Sequence, residues 1–204
     1  MPLDTDRRFL LAGTTYTWDV EPQSWTCHED RLTATAAGHT DIFRSPFGWT
    51  TKTNAARALA TPPTGDWQLQ ARLQVDFHAD WDAGSLFIWS NDDTWAKLNY
   101  ELAPGGTPSV FSVVTRNGRS DDAVGPAVAA DGLWLRISSL DSAYAFHCSA
   151  DGNTWHLIRQ FSLDSTHPVR VGLEVQSPIG DGCEVVFDNT TLTPTRLAHL
   201  FDGR

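Results

Sequence analysis

Three residues at alternating positions, Lys97, Asn99 and Glu101, carry the chemistry in the stretch WDAGSLFIWSNDDTWAKLNYE, residues 81–101. In an extended strand they share one face, while Ala96, Leu98 and Tyr100 share the other. An ammonium and a carboxylate four residues apart lie roughly 13 Å apart, too far for a simple ion pair and wide enough to line a ligand surface. Residues of similar type recur at one parity in later segments. Glu174 and Gln176 oppose Val171, Leu173 and Val175 in VGLEVQ, His147 opposes Phe146 in YAFHC, and Arg136 opposes Leu135 and Ile137 in WLRIS. If every apolar row meets in one core, the outer face of one sheet presents Lys97, Asn99, Glu101, Arg136, His147, Glu174 and Gln176 together. Glu101 or Glu174 could then act as a general base, with Lys97 or His147 as acid or electrostatic stabiliser. Trp89 and Trp95, with Trp81 and Trp49, are candidate aromatic walls, and Arg116, Ser120 and Asp121 could form a polar rim.

These residues must be positioned by strands. Asn91-Asp92-Asp93 supplies turn chemistry between an apolar run and an alternating one, which predicts a β-hairpin. The same logic predicts strands at 69–77, 85–90, 94–101, 109–116, 133–139, 143–149, 155–161, 169–177 and 183–192, each bounded by Gly, Asn, Asp or Pro signals. Asn117-Gly118 is the strongest of these turns. Residues 38–54 lack a sustained period and read as a long loop over one face, and helical period is suggested only at 54–59 and from Arg196 onward. Strands at this spacing specify an all-β, two-sheet antiparallel sandwich or barrel, and 204 residues suit one domain spanning 1–204.

Composition narrows the partners. A formal charge of -10 with no clustered Lys and Arg excludes nucleic acid and anionic membrane as main partners, and no apolar run approaches bilayer length. The opening MPLDTDRRFL does not read as a signal peptide, so a cytoplasmic protein is expected. Cys27, Cys148 and Cys183 are odd in number and far apart, which fits reduced thiols rather than disulfides or zinc. Asp121 and Asp122 could approach calcium, but the turn is short and offers too few oxygens; no metal and no cofactor is expected.

In order and spacing, GDWQLQARLQVDF, DAGSLFIW, WAKLNYE, SVVTRNGRSDD, WLRIS, AFHCSADGNTWHLIRQFSL, VGLEVQSPIGDGC and VFDN resemble the domain of unknown function of the regulation-of-enolase proteins, over about residues 40–190. The resemblance implies a concanavalin A-like lectin/glucanase jelly roll and leaves the chemistry open. Two departures are visible: the family pattern has Cys where Asn99 stands, and Cys-Asn where Ala123-Val124 stand. The tight run of acids used by glucanases of this fold is absent, which argues against glycosidase chemistry of that type. Three functions follow as expectations. The first is binding of a small polar, sugar-like ligand on the concave sheet, the second a cofactor-independent lyase, isomerase or cyclase using a carboxylate base there, and the third a regulatory or scaffold role.

Overall fold

In a computed structural model of the chain, which describes residues 7–129, 131–164 and 167–204, alternating apolar residues fold into two stacked antiparallel sheets. In chain order the strands are β1 (Arg8–Leu11), β2 (Thr14–Val20), β3 (Ser24–His28), β4 (Arg31–Ala37), β5 (Ile42–Arg44), β6 (Thr51–Thr53), β7 (Ala56–Ala60), β8 (Trp67–Val75) and β9 (Ala83–Asn91). They continue as β10 (Thr94–Ala103), β11 (Thr107–Arg116), β12 (Arg119–Ala127), β13 (Leu133–Leu140), β14 (Ala143–Ser149), β15 (His156–Ser162), β16 (Arg170–Gln176) and β17 (Gly182–Thr193). One sheet runs β1-β2-β7-β16-β9-β10-β11-β12, the other β15-β14-β13-β8-β17-β4-β3, and β5-β6 is a separate hairpin.

The inward rows build the core. Leu98 and Tyr100 of β10, Leu86 and Ile88 of β9 and Leu173 of β16 meet Leu69 and Leu73 of β8, Ile137 of β13 and Phe187 of β17. A second, smaller apolar cluster lies on the outer face of the eight-stranded sheet, where Ile42 and Phe43 of β5 pack on Leu59, Phe87, Trp89, Trp95 and Val113. The β5-β6 hairpin is therefore a flap pinned over that face, because its apolar residues have somewhere to bury.

The nine strands expected from sequence are all present, and three differences have physical causes. Residues 38–54 hold the flap hairpin; each of its strands is three residues long, too short to show a period. Residues 56–60, ARALA, form β7 instead of helix, since every one of them is buried and alanine is what fits between core and flap. β12, RSDDAVGPA, is an edge strand whose acids, Gly125 and Pro126 read as loop but suit an edge that must not pair further. The tail from Arg196 forms turns rather than helix. Cys27, Cys148 and Cys183 are free thiols, and no helix among the described residues is long and apolar enough to cross a membrane.

β7 and β16 approach so closely that Gly172 is needed between them: a Cβ there would stand 1.8 Å from the Ala58 carbonyl oxygen. Backbone cannot yield as a side-chain tip can, so Gly172→Ala should lower stability by about 3 kcal/mol, the upper end of overpacking costs. Chemical denaturation checks this, and a loss under about 1 kcal/mol would mean that the two strands can separate locally.

Candidate functional site

Strand register assembles the site on the outer face of the eight-stranded sheet. Asn99 of β10 sits opposite Ser85 of β9, which sits opposite Glu174 of β16, which sits opposite Arg57 of β7. One step along, Glu101 opposes Ala83 and Ala83 opposes Gln176; one step back, Lys97 opposes Phe87. Parity placed Lys97, Asn99, Glu101, Glu174 and Gln176 on one face, and register brings them to neighbouring strands of one sheet.

The flap converts this face into a cavity of about 290 Å³ lined by Lys97, Asn99, Glu101 and Gln176 from the sheet, Asp41 and Phe43 from the flap segment, and Trp81 and Phe111. The concave sheet face expected from sequence to hold the ligand is thus covered by the flap, which makes it a pocket. Lys52 Nζ donates to the carbonyls of His39 (3.3 Å) and Pro178 (3.0 Å), and Arg44 pairs with Asp93 at 3.4 Å, fixing the roof.

Lys97 is the electrostatic centre. Its Nζ donates to Gln176 Oε1 at 2.5 Å and pairs with Asp41 Oδ1 at 3.4 Å, although the residue is only 1% exposed. Burial pushes its pKa down, but Glu174, Asp41 and Glu101 together outweigh burial and leave it raised, so the ammonium persists. The carboxyls respond in the opposite sense. Burial lifts Glu101 to about 8 against the pull of Lys97 and of the 2.7 Å hydrogen bond that Asn99 Nδ2 donates to Oε2. Burial likewise raises Glu174, opposed by Lys97 and then by the Ser85 hydroxyl and Arg57. Ser85 lies near enough to favour the Glu174 anion, yet neither Glu174 oxygen has a formed hydrogen bond among the described residues. Asn99 Oδ1 also lacks one.

Trp81 closes one wall. Its ring meets Phe111 edge-on at 5.8 Å, its carbonyl accepts from Gln176 Nε2 at 3.2 Å, and its backbone has φ 73°, a conformation costly for a bulky side chain. Strain of this kind persists where the surroundings over-determine it, here at a pocket wall.

The remaining expected site residues stand elsewhere. His147 and Arg136 belong to β14 and β13 of the other sheet, so they cannot join Lys97; the parity argument fixed their facing direction but could not tell one sheet from the other. The chain's end covers them. His147 Nε2 is 2.7 Å from the Leu200 carbonyl, and Arg136 donates to the Gly203 carbonyl at 2.5 Å while lying 3.6 Å over the Trp155 ring. Trp89 and Trp95 pack in the apolar cluster under the flap, with Arg57 stacked 4.5 Å over Trp89, so they support the roof rather than line the pocket. Arg116 donates to the Ser162 carbonyl, Ser120 Oγ accepts from the Arg44 amide and contacts Thr115, and Asp121 pairs with Arg159 at 3.0 Å. The expected polar rim is therefore a set of structural ties. Of the SDD run only Asp122 lines the pocket, and no group of three or more His, Cys, Asp or Glu among the described residues is placed to hold a metal ion.

Asp41, Phe43 and Phe111 were not singled out from sequence. Phe111 had a usable signal, the alternation of Ser109, Phe111 and Val113 against Val110 and Val114. Asp41 had none, because its segment shows no period.

Comparison with known proteins places the pocket in a wider setting. A family profile described as "Protein of unknown function (DUF1349)" matches residues 18–195. A curated relative, "Regulation of enolase protein 1" of Saccharomyces cerevisiae, is 26% identical over 179 residues, 87% of this chain and 88% of the relative. Among solved structures, a functionally unknown protein from Saccharomyces cerevisiae superposes with TM-score 0.79 at 24% identity, covering 87% of this chain and 95% of that one. The GH43 protein BlXynB from Bacillus licheniformis superposes with TM-score 0.72 at 14% identity, covering 96% of this chain but 40% of the larger one. An alginate lyase from Klebsiella pneumoniae gives 0.56 at 14%, covering 83% of each chain. These structural likenesses establish the jelly-roll sandwich.

Proposed function

Because the chain belongs to the DUF1349 family of proteins of unknown function, whose description names no activity, we propose a function from the pocket itself: it binds one small polyhydroxylated, sugar-like molecule. The observation that carries this reading is the convergence of Lys97, Asn99, Glu101 and Gln176 on a roofed cavity whose other walls are Trp81, Phe43 and Phe111. A sugar ring offers hydroxyls that both donate and accept along one edge, and an apolar C–H face that rests on aromatic rings. Asn99 Oδ1, buried and without a hydrogen-bond partner among the described residues, is an acceptor for such a donor. At about 290 Å³ the cavity falls at the small end of ligand pockets, which suits a single ring rather than a chain. Three thiols in the free state accord with a reducing, cytoplasmic setting.

A regulatory role of the kind named for the yeast relative would use the surface instead. The stacked Phe47 and Trp49 at the flap tip, 71% and 82% exposed, are what a protein partner would meet first.

Titration calorimetry with a panel of aldoses, ketoses and sugar acids tests the ligand reading. Trp81→Gly is the informative variant, since glycine accepts φ 73° without strain while the ring is lost. We expect its dissociation constant to rise at least about tenfold, equivalent to about 1.4 kcal/mol, with an unchanged strand spectrum. Affinity equal to wild type would place the ligand away from this wall.

A further inference from the structure

Building on the sugar-binding reading, we infer that the pocket interconverts the cyclic forms of a bound reducing monosaccharide, with Glu101 and Asp41 moving the two protons that ring opening and closing require. The two carboxyls line one cavity, Glu101 from β10 of the sheet and Asp41 from the segment that leads into the flap. They differ in state. Glu101 is 4% exposed, and burial keeps a proton on it at neutral pH. Asp41 is the ion-pair partner of the Lys97 ammonium, bound through Oδ1 and more open to water, with its side chain 16% exposed. One carboxylic acid and one carboxylate in the same cavity are the elements of paired acid–base catalysis.

The step balances without an oxidant, a reductant or water. Asp41 takes the proton of the anomeric hydroxyl while Glu101 gives its own to the ring oxygen. The bond between the anomeric carbon and the ring oxygen breaks as the carbonyl forms. Rotation about the neighbouring carbon–carbon bond presents the other face, and reclosure returns both protons by the reverse route. Lys97 lies between the two carboxyls electrostatically, attracting both Asp41 and Glu101, so it stabilises Glu101 during the interval in which it is an anion.

The groups acting on Glu101 are Lys97 and Asn99 on its own strand, Asp41 on the flap segment and Glu174 on β16, and Asp122 of β12 lines the same cavity. Since Glu101 is the proton donor, the rate must fall as pH rises past about 8.

The experiment is polarimetry, with proton exchange spectroscopy as a second readout, on freshly dissolved D-glucose, D-galactose, D-xylose and L-arabinose. It uses the full chain at pH 6 to 9, with calorimetric binding of the same sugars in parallel. For at least one aldose we expect interconversion well above the buffer rate, reduced about 100-fold or more in Glu101→Gln and in Asp41→Asn, and declining above pH 8. A sugar that binds but whose anomers interconvert at the buffer rate overturns the catalytic inference and leaves the binding reading standing. So does a Glu101→Gln variant that keeps the rate. Absence of binding by the whole panel removes both.

Discussion

Lys97→Met should lower the stability of the protein by about 3 to 5 kcal/mol near pH 8, the cost of stripping one partner from a buried ionic cluster. The substitution nearly preserves the volume of the stem, which runs beside Phe87 and Val113, and methionine adapts readily to such surroundings, so packing contributes little. What disappears is the charge that faces Glu174, Asp41 and Glu101, together with the hydrogen bond to Gln176 Oε1. Glu174 is fully buried and its oxygens have no formed hydrogen bond among the described residues, so beyond Lys97 only the nearby Ser85 hydroxyl and Arg57 favour its anion. The loss should be smaller at pH 5, because Glu101 and Glu174 can then hold protons and the cluster carries less negative charge. For a chain of this size the difference corresponds to a midpoint shift on the order of 10 °C. Denaturant titrations of both proteins at pH 5 and pH 8 decide the matter. An equal loss at both pH values, or one under about 1 kcal/mol, would show that Lys97 is not the counter-charge of the site.

That dependence on one buried lysine explains how much of the site could be read from residues alone. The alternation in TWAKLNYELA states which residues face together, and a charged row cannot face a core when Leu98 and Tyr100 offer an apolar one. Hence Lys97, Asn99 and Glu101 emerge from sequence, and Glu174 with Gln176 by the same reasoning. Alternation carries no information on which strands are neighbours. His147 and Arg136 obey the identical rule on the opposite sheet, where the residues near Leu200 and Gly203 satisfy them. Pairing β16 beside β9 is a long-range choice made by the fold, and a local pattern cannot express it.

Burial was the second quantity hidden from the sequence. A charged row on a sheet's outer face is normally solvated, and a solvated carboxylate matters little for stability. The flap overturns that, and its strands are too short and too irregular to announce themselves. Ile42 and Phe43 look like isolated apolar residues in a turn-rich stretch, yet they are what draws the hairpin down onto Phe87 and Trp95. Once the roof is in place Glu101 and Glu174 are almost wholly buried, and both move out of the ordinary carboxylate range.

Glu101→Gln should consequently stabilise the protein at alkaline pH and leave it unchanged in acid, the opposite of what the loss of an ion-paired carboxylate would do. The sign follows from linkage. A carboxyl whose folded pKa is raised from 4.5 to about 8 binds its proton more tightly in the native state than in the unfolded chain. Its stabilising contribution is therefore complete below about 4.5 and is lost progressively as pH rises to about 8, where the buried group must ionise. Over that window the shift is worth on the order of 4 to 5 kcal/mol at 1.36 kcal/mol per pKa unit. Glutamine imitates the protonated acid, can accept the Asn99 Nδ2 hydrogen bond and never ionises. Glu174 titrates in the same direction and His147, whose pKa burial lowers, in the opposite one below its ordinary range. Both are present in the two proteins, so the difference between the two stability profiles reports Glu101 together with its coupling to Lys97 and Glu174. Unfolding free energies measured at pH 4, 7 and 8.5 should nearly coincide at the first and diverge by several kcal/mol at the last, the variant being the more stable. A variant less stable than wild type at pH 8.5 would mean that Lys97 holds Glu101 as an anion, and the proton donor assigned to this pocket would have to be another group.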